Sequence, residues 1–347
     1  MQYRNLGQSG LNVSQYCLGT MTWGMRTTQA EGHAQIDAAL GAGINFIDTA
    51  ELYPTYPMLA ENIGKTEEII GNWFAKTGRR SDVVLASKIA GEGQRYVRDG
   101  APITAEGIKI AVEGSLRRLQ TDHIDLYQLH WPNRGSYHFR KHWTFDPTQQ
   151  NRAEIERDML EVLGEIQNQI DAGRIGHFGL SNESAWGTAK WLSLADQNGL
   201  PRPISIQNEY SLLCRSYDTD LAELSHNENI DLLAFSPLAG GLLSGKYAPD
   251  VTPENSRRAA SADIGGRITP NVWPAIDAYA DIANRHGLDL IQMALAFCAS
   301  RPFMGSVIFG ASSLAQLDKI LNGLDLTLSD DVNKEIGAVF RAHGLPF

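Results

Sequence analysis

The sequence predicts an α/β fold, specifically a (β/α)8 TIM barrel with an N-terminal β-hairpin and an extra C-terminal helix. Short apolar segments alternate with amphipathic helical segments along the 347-residue chain, and eight of the apolar segments read as strands. Strands that alternate with helices predict a parallel sheet, and eight such units at this length favour closure into a barrel. Because no low-complexity linker interrupts the pattern, we predict a single domain over residues 1–347.

The predicted strands are short and rich in Ile, Leu, Val or Phe, which is typical of strands covered on both faces. They fall at residues 16–20, 45–49, 83–88, 124–130, 175–180, 204–207, 231–235 and 306–309. Helices are predicted at residues 29–40, 63–76, 104–119, 154–172, 218–226, 271–286, 290–300 and 313–323. The hairpin pairs residues 3–6 with 11–14, the extra helix covers 329–343, and long loops span about 131–151 and 238–269.

Composition indicates which partners, cross-links and targeting segments the protein is expected to lack. Lys and Arg number 30 against 40 Asp and Glu, a formal net charge of −10, which argues against nucleic-acid and anionic-membrane partners. The three cysteines are far apart in sequence, which predicts neither a disulfide framework nor a metal site. Residues 1–10 lack an apolar signal core and no apolar run reaches 18 residues, so we expect a cytoplasmic protein.

Reactive side chains stand at the predicted ends of three consecutive strands. Asp48 ends the second strand, Lys88 the third and His130 the fourth, while Tyr53 follows Asp48 by five residues. Taken singly, they could be a helix cap, a solvated lysine, a structural histidine and a rim aromatic. Because barrel active sites form at the C-terminal ends of the strands, the four together predict one catalytic site.

The four residue types also fit one chemistry. A phenol, with an unperturbed pKa near 10, is a poor acid at neutral pH. An adjacent ammonium favours the phenolate form, and a carboxylate beside the lysine keeps that ammonium charged and in place. An imidazole can donate to a carbonyl oxygen and orient it. We therefore predict that Tyr53 donates a proton to a carbonyl oxygen, a kind of step that typically contributes about 10²- to 10⁴-fold to the rate.

At these residues the sequence resembles the aldo-keto reductase superfamily, and the resemblance runs in order along essentially the whole chain. Within the superfamily it is similar to the Tas-like bacterial reductases and, more distantly, to the potassium-channel beta subunits. The segments that carry the resemblance are Leu18-Gly19-Thr20-Met21, Asn45-Phe46-Ile47-Asp48-Thr49-Ala50-Glu51-Leu52-Tyr53, Ala86-Ser87-Lys88, Asp125-Leu126-Tyr127-Gln128-Leu129-His130-Trp131-Pro132, Gly179-Leu180-Ser181-Asn182, Ile206-Gln207-Asn208-Glu209-Tyr210-Ser211 and Phe235-Ser236-Pro237-Leu238.

The resemblance implies NADPH/NADP+ as cofactor and hydride transfer from the nicotinamide to an aldehyde, or to some ketones, with Asp48, Tyr53, Lys88 and His130 as the catalytic tetrad. One departure concerns the adenine end, where Lys319 and Ile320 replace a Glu-Asn pair that is frequent in the family. The implied cofactor contacts are Thr20 and Met21; Ser181, Asn182 and Gln207 for the carboxamide; Phe235 for the ring face; Ser236, Pro237, Leu238, Ala239 and Gly240 for the pyrophosphate; Lys246 and Arg257 for the 2′-phosphate; and Gly310, Ser312 and Gln316 for the adenosine.

The substrate pocket is predicted to draw on Trp23, Tyr56 and Trp131 and on the aromatic loop that follows, which suits a small apolar or aromatic carbonyl compound. Residues 240–246 resemble a P-loop, but the next residue is Tyr247 instead of Ser or Thr, which argues against a nucleoside triphosphatase. A redox-sensing regulatory protein, like the channel beta subunits, remains the alternative. Those subunits have another residue at the position of His130, which favours a working reductase. The sequence leaves open whether the protein is a monomer or a homo-oligomer.

Overall fold

The computed structural model describes residues 1–55 and 57–347, and in them eight parallel strands close into a barrel in the order β10-β3-β4-β5-β6-β7-β8-β9. The predicted (β/α)8 barrel is confirmed, and so is the hairpin, in which β1 and β2 pair antiparallel. The strands are β1 Tyr3–Asn5, β2 Asn12–Ser14, β3 Tyr16–Gly19, β4 Phe46–Asp48, β5 Val84–Ile89, β6 Ile124–Leu129, β7 Ile175–Ser181, β8 Ser205–Glu209, β9 Asp231–Phe235 and β10 Met304–Phe309.

Helices connect the strands, and several of them begin at a side chain that caps the first turn. Thr28 and Glu31 form a capping box at the start of α1, and Thr104 caps α3 by accepting from a backbone amide. The helices are α1 Gln29–Gly41, α2 Lys65–Thr77, α3 Ala105–Leu119, α4 Arg152–Asp171, α5 Ala185–Asn198, α6 Asp220–Glu228, α7 Arg257–Ala260, α8 Val272–Arg285, α9 Leu290–Ala299, α10 Leu314–Leu321 and α11 Asp330–Ala342. The extra C-terminal helix is thus present as α11.

Three helices begin two residues away from their predicted starts. Helix α2 begins two residues later than expected because Gly64 has a left-handed φ of 82°. Helix α6 begins at Asp220 because the preceding residues Ser216–Asp218 form a 3-10 turn. Helix α4 begins earlier than expected because the Asn151 side chain accepts from the amides of Ala153 and Glu154.

The hairpin packs against the N-terminal end of the barrel. Leu6 and Val13 are fully buried in the cluster of apolar side chains that fills the barrel interior. Asp231, the first residue of β9, accepts from the Arg4 side chain at 2.9 Å and from the Gly7 amide at 2.7 Å. The hairpin therefore covers the N-terminal end of the barrel, opposite the C-terminal ends of the strands.

Two long loops meet at that C-terminal end. Glu209, the last residue of β8, accepts from Arg140 of the loop after β6 at 2.8 Å and from Arg267 of the loop after β9 at 2.7 Å. Burial alone would raise the pKa of the Glu209 carboxyl, but the two guanidinium groups outweigh burial and lower that pKa. One buried carboxylate therefore ties the two loops together. None of the helices in the described part of the chain is long and apolar enough to cross a lipid bilayer.

Candidate active site

A cavity of about 1250 Å³ opens at the C-terminal end of the barrel. Its floor includes Asp48 at the end of β4, Ser181 at the end of β7 and Phe235 at the end of β9. The volume exceeds the range of roughly 300–1000 Å³ that is usual for sites of single small molecules. The cavity therefore has room for a ligand of dinucleotide size together with a second, smaller one.

Asp48 and Lys88 form a buried ion pair at the bottom of this cavity. The Lys88 Nζ lies 2.6 Å from Asp48 Oδ2 and also donates to the Thr49 carbonyl at 2.7 Å. The exposed fraction is 0% for the Lys88 side chain and 4% for that of Asp48. Burial alone would lower the pKa of the Lys88 ammonium, but the Asp48 carboxylate outweighs burial and raises it. Lys88 is therefore positively charged at neutral pH.

Tyr53 lies over this ion pair. The Lys88 Nζ is 4.9 Å from the centroid of the Tyr53 ring, and the Tyr53 side chain is only 8% exposed. The His130 ring stands edge-on to the Tyr53 ring, with 5.7 Å between centroids. The structure thus brings together the four residues that the sequence predicts as one catalytic group.

His130 is a neutral imidazole in this setting. Burial lowers its pKa well below the usual range, and the positive charge of Lys88 lowers it further. A neutral imidazole carries one N–H, so it can donate one hydrogen bond to an oxygen while it accepts at its other nitrogen. His130 is held in place by its backbone amide, which donates to the Ile89 carbonyl at 3.0 Å.

The loop that carries Tyr53 is anchored by Glu51, a residue for which sequence reasoning predicted no role. The Glu51 carboxylate accepts from the Ala90 amide at 2.6 Å and from Arg98 at 2.5 Å, and the Glu51 amide donates to the Lys88 carbonyl. Burial raises the pKa of the Glu51 carboxyl, although Arg98 counteracts the effect. These bonds join the loop after β4 to the end of β5, and so fix Tyr53 relative to Lys88.

Two glutamine side chains complete the surroundings of Asp48. Gln128 on β6 donates to Asp48 Oδ1 at 3.1 Å, and Gln207 on β8 donates to the same oxygen at 2.8 Å. Gln207 also donates to the carbonyl oxygen of the Gln128 side chain at 3.0 Å. Gln128 is fully buried and was not among the predicted site residues. The sequence could have indicated Gln128, since a glutamine inside an otherwise apolar strand needs hydrogen-bond partners when it is buried.

Asn182 lies at the cavity wall beside His130. Its side-chain amide nitrogen donates to the His130 carbonyl at 2.9 Å and to the Ser181 hydroxyl at 3.1 Å. Its side-chain carbonyl oxygen is buried and has no hydrogen-bond partner among the described residues. Buried polar atoms are almost always hydrogen-bonded in native proteins, so an acceptor without a partner on a cavity wall indicates a ligand that donates to it.

A turn after β9 brings glycine backbone and two cations to one side of the cavity. Gly240 and Gly241 have φ values of 70° and 99°, and a Cβ at Gly240 would lie 2.6 Å from Ile264 Cγ2. A Cβ at Gly241 would lie 3.4 Å from Lys246 Nζ, and one at Gly240 would lie 3.6 Å from Arg257 Nη1. The loop thus places exposed backbone next to a lysine and an arginine, as the sequence predicts.

The predicted adenosine residues Gly310, Ser312 and Gln316 line the far end of the cavity, as do Lys319 and Ile320. Gln316 accepts from the Ser312 hydroxyl at 3.0 Å through its side-chain carbonyl. Lys319 Nζ lies 2.9 Å from Asp289 Oδ2, so its charge is already paired. This pairing weakens Lys319 as a partner for a phosphate.

Two of the predicted site residues, Trp23 and Ala239, lie away from the cavity. Trp23 is fully buried, donates to Gln35 at 3.3 Å and packs against Gly32 of α1, because the turn after β3 directs it away from the cavity. The side chain of Ala239 points into the apolar core and does not line the cavity. Tyr56 lies outside the described residues. The remaining predicted residues line the cavity except Lys88, which lies just beneath it: Thr20, Met21, Asp48, Tyr53, His130, Trp131, Ser181, Asn182, Gln207, Phe235, Ser236, Pro237, Leu238, Gly240, Lys246, Arg257, Gly310, Ser312 and Gln316.

Sequence reasoning also missed a contact across the cavity mouth. Arg26, in the segment between β3 and α1, donates to the carbonyls of Asn255 at 3.1 Å and Ser256 at 2.9 Å. The contact fixes the tip of the loop after β9 over the cavity. No motif in the sequence indicates it, because the acceptors are backbone carbonyls that any residue could provide.

A barrel with Asp48, Tyr53, Lys88 and His130 gathered at its C-terminal end is similar to known proteins. The model of the aldo/keto reductase family matches residues 16–340. The chain is 42% identical to "Protein tas" of Escherichia coli strain K12, over all of this chain and 99% of that protein. It is 30% identical to the "Uncharacterized oxidoreductase YrpG" of Bacillus subtilis, covering 99% and 97% of the two chains.

The chain is also 32% identical to a "Probable voltage-gated potassium channel subunit beta" of rice, over 99% of this chain and 97% of that protein. The chain therefore belongs to the aldo/keto reductase family, and its activity is that of an oxidoreductase.

Proposed function

We propose that this protein is an NADPH-dependent reductase that converts aldehydes, and some ketones, into alcohols, with Tyr53 as the proton donor. The observation that carries the proposal is the buried Asp48–Lys88 pair, with N and O 2.6 Å apart, directly beneath Tyr53 and opposite a neutral His130. Bound NADPH would supply the hydride, and the protein would supply the proton and the orientation of the substrate.

The nicotinamide end of the cofactor fits the acceptors on the cavity wall. The Asn182 side-chain oxygen lacks a partner in the described structure, and Gln207 uses its amide nitrogen on Asp48 and Gln128. Both residues therefore turn carbonyl oxygens toward a ligand, which suits the NH2 group of a carboxamide. Phe235 lines the same part of the cavity and offers an aromatic face for the ring.

The phosphates of the cofactor fit the charged residues that line the cavity. The described lining residues include seven Lys or Arg and three Asp or Glu, and three of these cations, Arg140, Arg267 and Lys319, bind Glu209 or Asp289. The other four still outnumber the lining carboxylates, although the whole chain carries a formal charge of −10. Lys246 and Arg257 next to the Gly240-Gly241 turn are the residues we assign to the 2′-phosphate, since charge-assisted hydrogen bonds to phosphate are strong. This local excess of positive charge favours a dinucleotide with the extra phosphate.

In this proposal Tyr53 gives its hydroxyl proton to the carbonyl oxygen of the substrate. The Lys88 ammonium stabilises the phenolate that results, and Asp48 keeps that ammonium charged. His130 donates its single N–H to the same substrate oxygen and so orients it. The substrate is held against an apolar wall that limits the access of water: Met21, Leu52, Met58, Trp131 and Phe139.

The wall indicates the class of substrate. Trp131 packs on the backbone of Gly91, where a Cβ would lie 2.3 Å from the indole nitrogen, and that nitrogen donates to the Glu92 carbonyl at 3.1 Å. A fixed indole beside methionine and phenylalanine side chains suits a small apolar or aromatic aldehyde. We further propose that residues 1–347 act as one domain and that the protein works in the cytoplasm.

The test is a pair of measurements on the wild-type protein. Fluorescence titration gives dissociation constants for NADPH and NADH, and steady-state assays follow NADPH oxidation with a panel of aromatic and aliphatic aldehydes. We expect tighter binding of NADPH and turnover with at least some aromatic aldehydes. A preference for NADH contradicts the cofactor assignment, and NADPH binding without turnover of any aldehyde contradicts the reductase assignment.

The match to probable potassium-channel beta subunits supports a second candidate, a redox-sensing regulatory protein that binds the cofactor without rapid turnover. The same assays separate the two candidates. A sensor is expected to bind NADPH tightly and to oxidise it at most once per protein molecule, whereas an enzyme turns over repeatedly. The complete Asp48, Tyr53, Lys88 and His130 group favours the enzyme.

A further inference from the structure

We propose that Gln128 is a positioning residue: it fixes which way the Gln207 side-chain amide faces and so makes the cavity select a cofactor with a carboxamide NH2 group. The inference deepens the proposed function and rests on it, since it concerns the same nicotinamide site. It assigns a role to a buried polar side chain that does not line the cavity and touches neither cofactor nor substrate directly.

The position of Gln128 follows from barrel geometry. In a barrel of eight strands, the inward side chains of alternate strands form one layer of the core, usually of apolar residues. Asp48, Gln128 and Gln207 stand on β4, β6 and β8, and their side chains are hydrogen-bonded to one another. Three polar side chains therefore meet at the cavity end of the barrel interior, in a layer that is usually apolar.

The chemistry of Asp48 orients both amides. An ionised carboxylate accepts hydrogen bonds and donates none, so each glutamine must turn its NH2 group toward Asp48. Gln207 has two N–H bonds, of which one is donated to Asp48 Oδ1 and the other to the Gln128 carbonyl oxygen. With both N–H groups engaged, Gln207 can present only its carbonyl oxygen, an acceptor, to the cavity that it lines.

Gln128 supplies the acceptor for the second of these hydrogen bonds. Without the Gln128 carbonyl oxygen, one N–H of Gln207 would lack a partner, and its amide could turn so that this N–H faces the cavity. The wall would then present a donor as readily as an acceptor. Since Asn182 also presents a carbonyl oxygen, the intact wall offers two acceptors to the two N–H bonds of a carboxamide.

The experiment compares NADP+ with 3-acetylpyridine adenine dinucleotide phosphate, in which a methyl ketone replaces the carboxamide and no NH2 group remains. Dissociation constants are measured by titration for wild type, Gln128→Met, Gln128→Glu and the control Gln169→Met. Gln169 is also a buried glutamine that donates to a carboxylate, Glu165, but it lies on α4 away from the cavity. Methionine keeps the length of glutamine and removes the acceptor. Glutamate next to the Asp48 carboxylate is expected to be protonated, so that it keeps a donor to Asp48 as well as an acceptor oxygen for Gln207.

We expect wild type and Gln169→Met to bind NADP+ about tenfold or more tighter than the analogue, because a buried acceptor left without its donor weakens binding by roughly this factor. In Gln128→Met the ratio should fall to within about threefold, and in Gln128→Glu it should stay near that of wild type, since Gln207 keeps its acceptor. A merely structural role would lower the affinity for both nucleotides alike and leave the ratio unchanged.

The outcomes separate this inference from the proposed function. If wild type binds neither nucleotide, the proposed function fails, and this inference fails with it. If wild type discriminates and folded Gln128→Met discriminates equally, only the role of Gln128 is overturned. Should Gln128→Met fail to fold, Gln128→Glu decides the matter, because loss of discrimination in that variant contradicts the role assigned to the Gln128 acceptor.

Discussion

Replacing Asp48 by asparagine should destabilise the protein strongly, and the loss should depend on pH in a defined direction. Asp48 and Lys88 are 2.6 Å apart and almost completely buried. At an effective dielectric constant near 20, two unit charges at this distance attract by about 6 kcal/mol, of which the cost of removing them from water offsets a part. Removing one partner of a buried pair typically costs about 3–5 kcal/mol in the free energy of unfolding, and we expect that range for Asp48→Asn at pH 7.

The pH dependence follows from the pKa of Lys88. In wild type that pKa is raised above its ordinary value of 10.5, so the stabilisation is present below pH 10.5 and is lost as the pH rises through the folded-state pKa. In Asp48→Asn burial still lowers the pKa of Lys88, while the Asp48 charge, the largest of the influences that raise it, is gone. The gap between the two proteins should therefore be widest near neutral pH and narrow above about pH 10.5.

The assay is urea unfolding of both proteins at pH 7 and near pH 11, with Asp82→Asn as the matched control. Asp82 binds Arg79 at 2.7 Å, almost the same distance, but both side chains are more than 40% exposed. Such exposed pairs contribute about 0–1 kcal/mol, so the control should unfold nearly like wild type. An Asp48→Asn variant that loses no more than the control at pH 7, or a gap that widens toward pH 11, would refute the reasoning.

The remaining predictions concern catalysis, cofactor choice and acid stability. Tyr53→Phe should lose about 10²- to 10⁴-fold in turnover with an unchanged dissociation constant for NADPH, and turnover within a few-fold of wild type would remove Tyr53 from the mechanism. Lys246→Ala and Arg257→Ala should each weaken NADPH binding about ten- to a hundredfold and leave NADH binding unchanged, whereas equal losses for both cofactors would show that these residues only shape the loop. Burial lowers the pKa of His138 to about 4, so its neutral form stabilises the protein above pH 6.5 and this contribution is lost as the pH falls toward 4. Urea unfolding between pH 8 and pH 5 should therefore show a smaller loss of stability in His138→Asn than in wild type, and equal losses would contradict this origin.

The barrel could be predicted from the sequence because its signals are local and repeated. Each strand of the barrel is a short apolar run that ends in a turn, and the structure places all eight within a few residues of the prediction. The proximity of the predicted catalytic group followed from the same pattern, since Asp48, Lys88 and His130 lie within one residue of the ends of consecutive strands and parallel strand ends meet at one edge. Because these strands are consecutive in the sequence and adjacent in the barrel, their terminal side chains lie close together.

The contacts that the sequence did not predict depend on long-range geometry. Glu51 binds Arg98 47 residues away, and Arg26 binds the Asn255 carbonyl 229 residues away. Neither contact follows from a spacing rule, because the partners lie on loops whose paths depend on packing. Trp23 was misplaced for a related reason, since a loop tryptophan can face either the cavity or a helix, and only the turn after β3 decides which.

The polar layer of the barrel interior joins the two parts of the site. Asp48 binds Lys88, which lies beneath the Tyr53 ring, and it also binds Gln207, which lines the cavity. Under the proposed function, one carboxylate therefore sets both the charge that assists proton transfer and the orientation of the amide that faces the cofactor. Since both requirements depend on the Asp48 carboxylate, a substitution at Asp48 should impair proton transfer and also the discrimination between carboxamide and acetyl cofactors. A substitution at Lys88 should impair proton transfer and leave this discrimination intact.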